Sequence, residues 1–281
     1  TYAPLALIRG SDLYTDEARE KYKFKHKCLL IEKSVSIIEG DMCFEYDQLP
    51  ITSTSYSEKE YWDMHRISTF IFMTCRGGYY KELYRHALNN QITFRDIFIE
   101  LKNNSFKYPL FSEALDDIIN KIQKFYFDDE DALRKKLEEE IKLNGSPENL
   151  DISRDYQLAT GKIISLEHRR KYIDEFSKII INIYLSKMGT AGDEFCNILE
   201  NLKDCTEKVI ISPQELPEER VEHISRYDIA EWLDSGCSQP LSSYKLKSQK
   251  KFILKVRNYN EHQMLNEVGK KWTAHNKSLF Y

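Results

Sequence analysis

Apolar residues follow two rhythms along this chain, and the change comes near residue 57. Before it they gather in short runs. Ala3 to Arg9 reads as a buried strand that closes on the turn Gly10-Ser11-Asp12. "KCLLIEKSVSI" and "DMCFEYDQLPITST" are rich in β-branched and aromatic residues and flank Glu39-Gly40-Asp41, so they read as the two arms of a hairpin. Pro50 cannot donate to a ladder, which places it near a strand end or sheet edge.

After residue 57 the spacing becomes helical. Ser57 followed by Glu60 is a capping box, and Tyr61, Met64, Ile67, Ser68, Ile71 and Thr74 then mark one stripe that stops at Gly77-Gly78. A second helix covers Tyr79 to Asn89. Thr93 caps a third, with Phe94, Ile97, Phe98 and Leu101 on one face. Pro109 suits the first turn of a fourth, whose stripe is Leu110, Ala114, Leu115, Ile118, Ile119, Ile122 and Phe125. "DEDALRKKLEEEIKLNG" is a fifth helix with acids at its start and a solvated charged face. Residues 146–160 read as a connector with a short helix. "SLEHRRKYIDEFSKIIINIYLSKMG" is capped by Ser165 and stopped by Gly189, and its latter half is apolar nearly all round, so it is expected at the centre. Beyond it come a short helix over Asp193–Lys203, an extended crossing "VIISPQELPEERVEHI", a helix in "SRYDIAEWLDSG", a strand "KKFILKV", and a last helix from Asn260 through Val268.

The fold class that follows is mainly α (α+β): a helical, bundle-like body with strands at the N-terminal end and near the C-terminus. The domain division expected is 1–56, a strand-and-loop region, and 57–281, the helical domain; Gly145-Ser146-Pro147 marks a further candidate break. With 41% apolar and 31% charged residues, 10 Gly and 7 Pro, the 281-residue chain can bury a sizeable core. A net charge of −4 gives no global attraction for nucleic acid. No apolar run approaches the roughly eighteen residues that cross a bilayer. Six cysteines (28, 43, 75, 196, 205 and 237) sit at no metal-ligand spacing, so reduced, mostly buried thiols in the cytoplasm are expected.

Catalytic constellations are few. "CRGGYYKE" lacks the strand and closing Lys-Ser/Thr of a phosphate loop, and neither a Gly-x-Ser-x-Gly elbow nor a His-Glu-x-x-His helix is present. In "YWDMHR" only Asp63 and Arg66, three apart, can meet, as a local ion pair or as a polar contact to substrate. Glu167, His168, Arg169 and Arg170 invite an anion, but basic residues early in a helix oppose its dipole, and a surface role is favoured. "KYKFKHK" would put Lys21, Lys23, Lys25 and Lys27 on one face of an extended segment, guarding an edge or contacting phosphates.

The order of "LIRGSDLY", "YKFKHK", "RGGYYKEL" and, far downstream, "RYDIAEWL...PLSSYKLK...KKFILKV" resembles the C-terminal part of cobalamin-binding-type radical S-adenosylmethionine proteins. In that family a last barrel strand ends in a Gly-Ser or Gly-Thr turn followed by a long helical extension. The resemblance implies that Ile8, Arg9, Gly10 and Ser11 end such a strand, near S-adenosylmethionine or substrate, with Arg9 where the family commonly has proline. It further implies that Arg66 and Tyr80, on the aromatic-rich helices from Tyr61 to Tyr84, face substrate. The family's Cys-x-x-x-Cys-x-x-Cys loop is absent, so iron–sulfur cluster, S-adenosylmethionine and cobalamin would belong to the parent protein rather than to this chain. The chain has no initiator methionine, and it reads as a fragment whose partners are its own upstream part and a small-molecule substrate, with neither nucleic acid nor membrane. The parent activity implied is methyl transfer or radical rearrangement; the rival reading is a free-standing helical protein-interaction module.

Overall fold

The computed structural model describes residues 5–31, 35–39, 41–75, 79–144, 165, 167–211, 220–255 and 257–258. Its helices are α1 (Asp16–Tyr22), α2 (Glu58–Cys75), α3 (Lys81–Asn89), α4 (Phe94–Asn103), α5 (Pro109–Gln123), α6 (Glu130–Asn144), α7 (Arg169–Met188), α8 (Asp193–Val209) and α9 (Ile229–Asp234). The strands are β1 (Lys25–Leu30), β2 (Ser36–Ile38), β3 (Asp41–Cys43), β4 (Tyr46–Thr52), β5 (Ile210–Ile211), β6 (Arg220–Tyr227), β7 (Lys245–Lys255) and β8 (Arg257–Asn258). The chain is mainly α. Its contacts divide it into two compact units, Thr1–Phe72 with Glu113–Ala159 and Met73–Ser112 with Thr160–Tyr281. Two of the passages between units fall inside α2 and α5. The boundary suggested by sequence, after residue 56, falls inside the first unit. The expected connector at 146–160, the Gly77-Gly78 stop and the last helix from Asn260 lie outside the described residues.

In the first unit, the two arms read as a hairpin pair as β1 with β4, and a smaller hairpin, β2 with β3, lies between them in sequence. Pro50 sits opposite His26, beside the register shift at Lys25/His26, where a missing N–H costs the ladder least. Cys28 exchanges backbone bonds with Phe127 at 2.7 and 2.9 Å. α6 lays Leu133 and Leu137 on Cys28, with Leu30, Phe44 and Tyr46 packed around them. The capping box that starts α2 is formed: Ser57 N–H donates to Glu60 Oε2 at 2.8 Å and Glu60 N–H to Ser57 Oγ at 3.3 Å.

Three expectations are corrected in this unit. Residues 5–8 form no strand: Leu7 is buried and donates its N–H to Gln48 O at 2.8 Å, while Leu5 and Ile8 are exposed. Among the described residues one backbone bond links this segment to β4, too little to hold a strand. The four lysines do not share a ribbon, because α1 takes Lys21 and ends at Lys23, whose φ of +53° turns the chain. Only Lys25 and Lys27 lie in β1. On α2 the buried positions are Tyr61, His65, Thr69, Phe70, Met73 and Thr74, while Met64 is exposed. The stripe is rotated because polar His65 and Thr69 are inside.

In the second unit α7 packs on α4 and α8, α3 packs on α8, and the β6–β7 ribbon lies on α8. Phe176 of α7 takes edge-on rings from Tyr80, Tyr84 and Phe111, at 5.0, 4.8 and 6.3 Å. Ile179, Ile180 and Ile183 of α7 are buried and Ile181, Asn182 and Tyr184 half-buried, so the stretch 179–185 lies inside as expected except for exposed Leu185 at its C-terminal end. Lys187 anchors that end to Gln91 O (2.7 Å) and Asp96 (2.9 Å). α8 continues past Lys203 to Val209. "SRY" closes β6, and α9 starts only after Asp228, whose side chain accepts from Glu231 N–H. Thr93 and Asp96 form a complete capping box on α4.

α5 begins in this unit with an unusual cap. Pro109 has no N–H, and Ser112 N–H reaches Tyr108 O at 3.0 Å. The two donors between them, Leu110 and Phe111 N–H, go to the buried carboxylate of Glu175 on α7 at 3.2 and 2.8 Å. A distant helix thus supplies the anion that a helix N-terminus attracts.

Candidate functional site

The turn that carries the family resemblance is a built structure. Gly10 has φ +85°, a left-handed conformation that glycine adopts without strain. Ser11 donates to Ile8 O through both its N–H (3.0 Å) and its hydroxyl (2.7 Å), and Tyr14 N–H returns to Ser11 O at 3.0 Å. Thr15 then caps α1. Arg19, on α1, fastens the turn to the hairpin. Its Nε donates to Tyr14 O (3.2 Å) and its Nη2 to Gln48 Oε1 (2.7 Å), its Nη1 lies 3.2 Å from His26 Nδ1, and its guanidinium sits over the Tyr14 ring.

Arg9 projects from this turn and is exposed. Its Nη2 donates to Tyr46 OH at 3.4 Å, and that hydroxyl donates to Glu130 Oε2 at 2.7 Å. The Tyr46 hydroxyl, and after it that of Tyr14, favours the charged guanidinium. Tyr46 is held protonated first by partial burial and then by Glu130. Behind it Arg134 lies over the Phe44 ring and pairs with Glu130 at 3.4 Å. A guanidinium held from one side by tyrosines keeps a planar fork of donors toward solvent, suited to a carboxylate or phosphate.

The other predicted residues have different surroundings. Gly10 and Ser11 share the turn with Arg9. Arg66 forms an ion pair with Asp116 of α5. Tyr80 belongs to the second unit, where it is fully buried against Phe176, and burial pushes its hydroxyl pKa well up. The surface reading of "EHRRKY" holds for Glu167, which is exposed, and is corrected for the two arginines. Arg169 is buried and donates to Ile210 O at 2.7 Å. Arg170 meets Asp174 (3.3 Å), Asp204 (2.7 Å) and Glu207 (2.9 Å), and Lys203 joins Asp174 to Glu200. These charges bind α7 to α8 and need no ligand to explain them. Tyr46 and Glu130 were missed from sequence, since a contact across 84 residues leaves no local pattern, whereas Tyr14 and Arg19, also missed, meet only five residues apart.

The thiols do not fit an iron–sulfur cluster. Among the described residues no three His, Cys, Asp or Glu side chains converge as a metal-ligand set. Cys28, Cys205 and Cys237 are buried and Cys43 is exposed; none of the six is in a disulfide. Burial raises the pKa of Cys28, Cys75 and Cys237 to about 11, which keeps them as thiols rather than ligating thiolates. Among the described residues no helix is long and apolar enough to cross a membrane. No protein-family model matches the chain, and no curated protein is detectably similar to it.

Proposed function

We propose that this chain is the helical C-terminal region of a radical S-adenosylmethionine protein, with cobalamin-type methyl transfer or radical rearrangement as the parent activity. In this reading Arg9 presents its guanidinium to an anionic group of the substrate, and cluster, S-adenosylmethionine and cobalamin are held by the upstream part of the same protein. The observation that carries it is the Ile8–Tyr14 turn: the segment with the family resemblance is clamped by Arg19 and holds Arg9 braced and exposed. The bond from Leu7 to β4 weighs against a barrel strand at 5–8, so the reading rests on the turn rather than on a strand. Arg66, paired with Asp116, and Tyr80, in a core, take no substrate role in it. Free cysteines accord with a cytoplasmic location.

The test is anaerobic purification of the protein together with its upstream coding sequence. Iron, labile sulfide and corrin absorbance are then read, followed by substrate binding with and without Arg9→Gln. Cluster content unchanged by Arg9→Gln, with weakened substrate binding, supports the proposal; a protein with no cluster at any stage overturns it.

A second reading, a protein-interaction module, is favoured by the outer face of the β6–β7 ribbon. Ile224 pairs with Lys251 and Glu222 with Ile253, so the two exposed isoleucines are diagonal neighbours on one face. Under this reading Ile224→Lys with Ile253→Lys leaves the helical spectrum intact and abolishes concentration-dependent association in sedimentation. Unchanged sedimentation overturns it.

A further inference from the structure

The residues of "YWDMHR" that the proposed function leaves aside meet a second aromatic run in the first unit. Tyr61, Trp62 and His65 of α2 gather around Tyr126, just beyond α5. The Tyr61 ring lies 5.2 Å from Trp62 and 4.8 Å from His65, and Trp62 lies 5.0 Å from Tyr126. The Tyr126 hydroxyl is 3.3 Å from His65 Nε2 and 3.2 Å from the Tyr61 hydroxyl. Tyr61, His65 and Tyr126 are buried, whereas Trp62 is half-buried.

Two hydroxyls and one ring nitrogen form a chain whose direction is set by the imidazole tautomer. With the imidazole proton on Nδ1, Nε2 only accepts, so the bonds run from Tyr61 to Tyr126 to His65. Burial lowers the His65 pKa to about 4, so the imidazole is neutral at pH 7 and Nε2 is open to a proton.

We propose that Tyr126 and His65 form a proton-coupled redox pair, reached through Trp62 by an outer-sphere one-electron oxidant of the trivalent metal-complex class, such as a ruthenium(III) polypyridyl. The oxidant takes an electron from the Trp62 indole, which is refilled from the Tyr126 ring. The phenolic O–H bond breaks and its proton moves to His65 Nε2. A neutral phenoxyl radical and an imidazolium result, and Tyr61 donates a hydrogen bond to the phenoxyl oxygen. An oxidised phenol that kept its proton would be a bare cation in a buried site, and it is a far stronger acid than imidazolium, so the transfer runs toward His65. Return of one electron from an external reductant restores the phenol and brings the proton back. The pair lies in this chain alone and does not depend on the proposed radical enzymology.

The test is flash–quench oxidation of the chain by a photogenerated ruthenium(III) polypyridyl complex, with electron paramagnetic resonance of the product. A neutral tyrosyl signal that disappears in Tyr126→Phe is expected. His65→Phe, which keeps a ring in place, is expected to slow its formation by ~10²-fold, the scale of a positioned proton acceptor. Trp62→Phe is expected to slow it as well. The unaltered chain in heavy water supplies a measurement that needs no variant, and slower radical formation there is expected. A tyrosyl signal that survives in Tyr126→Phe, or formation that is indifferent both to heavy water and to His65→Phe, overturns the proposal.

Discussion

Removing the Glu175 carboxylate tests how α5 is held. Pro109 lacks an N–H and Ser112 is served by Tyr108, so Leu110 and Phe111 are the donors of the first turn that need an acceptor from outside the helix. In Glu175→Ala both lose it, Phe111 in the core and Leu110 half-buried at its edge, where an unsatisfied donor costs about 1–3 kcal/mol. Water entering the space left by the side chain recovers part of that, so a net loss of about 3–4 kcal/mol is expected for the pair. Glu175→Gln keeps one acceptor oxygen but turns an amide toward the other N–H, which puts its cost at about 1–2 kcal/mol. Urea unfolding followed by Trp232 fluorescence reads the second unit, and amide exchange in the peptide around residue 110 reads the cap itself. If Glu175→Ala unfolds within about 1 kcal/mol of the native chain and leaves Leu110 and Phe111 as protected as before, the cap is not what holds the helix start.

Acid should weaken each unit, most through one deeply buried histidine. His26 in the first unit and His223 in the second, both lowered first by burial, act in the same direction. His65 and His86 are both lowered to about 4 by burial, below the ordinary value near 6.5. The unfolded chain therefore binds a proton that the folded one refuses. Stability is full above about pH 6.5 and falls as pH drops toward 4, by about 3 kcal/mol per histidine at the limit; thermal melts across that range check it, and His65→Phe should flatten the first unit's share. Arg170→Ala leaves Asp204 and Glu207 short of a counter-charge while Asp174 keeps Lys203, and the group is partly exposed, so about 1 kcal/mol is expected, shrinking with added salt. Tyr46→Phe removes the hydroxyl between Arg9 and Glu130 and should cost about 1 kcal/mol in a urea titration, with the helical spectrum unchanged.

Local chemistry made much of the fold legible. The capping box at Ser57, the cap at Thr93 and the proline at the start of α5 each act within one turn, and each is found where the sequence put it, as is the apolar period of α5. The lysine ribbon was misread because alternation alone does not forbid a helix: Thr15 caps α1 and carries it through Lys21. The stripe on α2 was misplaced because apolar counting passes over His65, whose burial depends on Tyr126, 61 residues away. Arg169 was put at the surface because its acceptor, Ile210 O, comes from a distant strand. The Arg9 environment was half legible. The turn could be read from Gly10 and Ser11, but the tyrosine and carboxylate behind it come together only through the hairpin and α6.

Both units are stitched from two separated stretches of chain, and that constrains synthesis. Residues 73–112 leave the ribosome long before their companions from residue 160 onward, so Tyr80, Tyr84 and Phe111 wait for Phe176 with their faces uncovered. The first unit is meanwhile incomplete until the stretch beginning at Glu113 has emerged. A stop codon after residue 159 would give a product able to finish one unit while carrying α3 and α4 as orphaned apolar helices, a species fit for chaperones or proteases rather than for work.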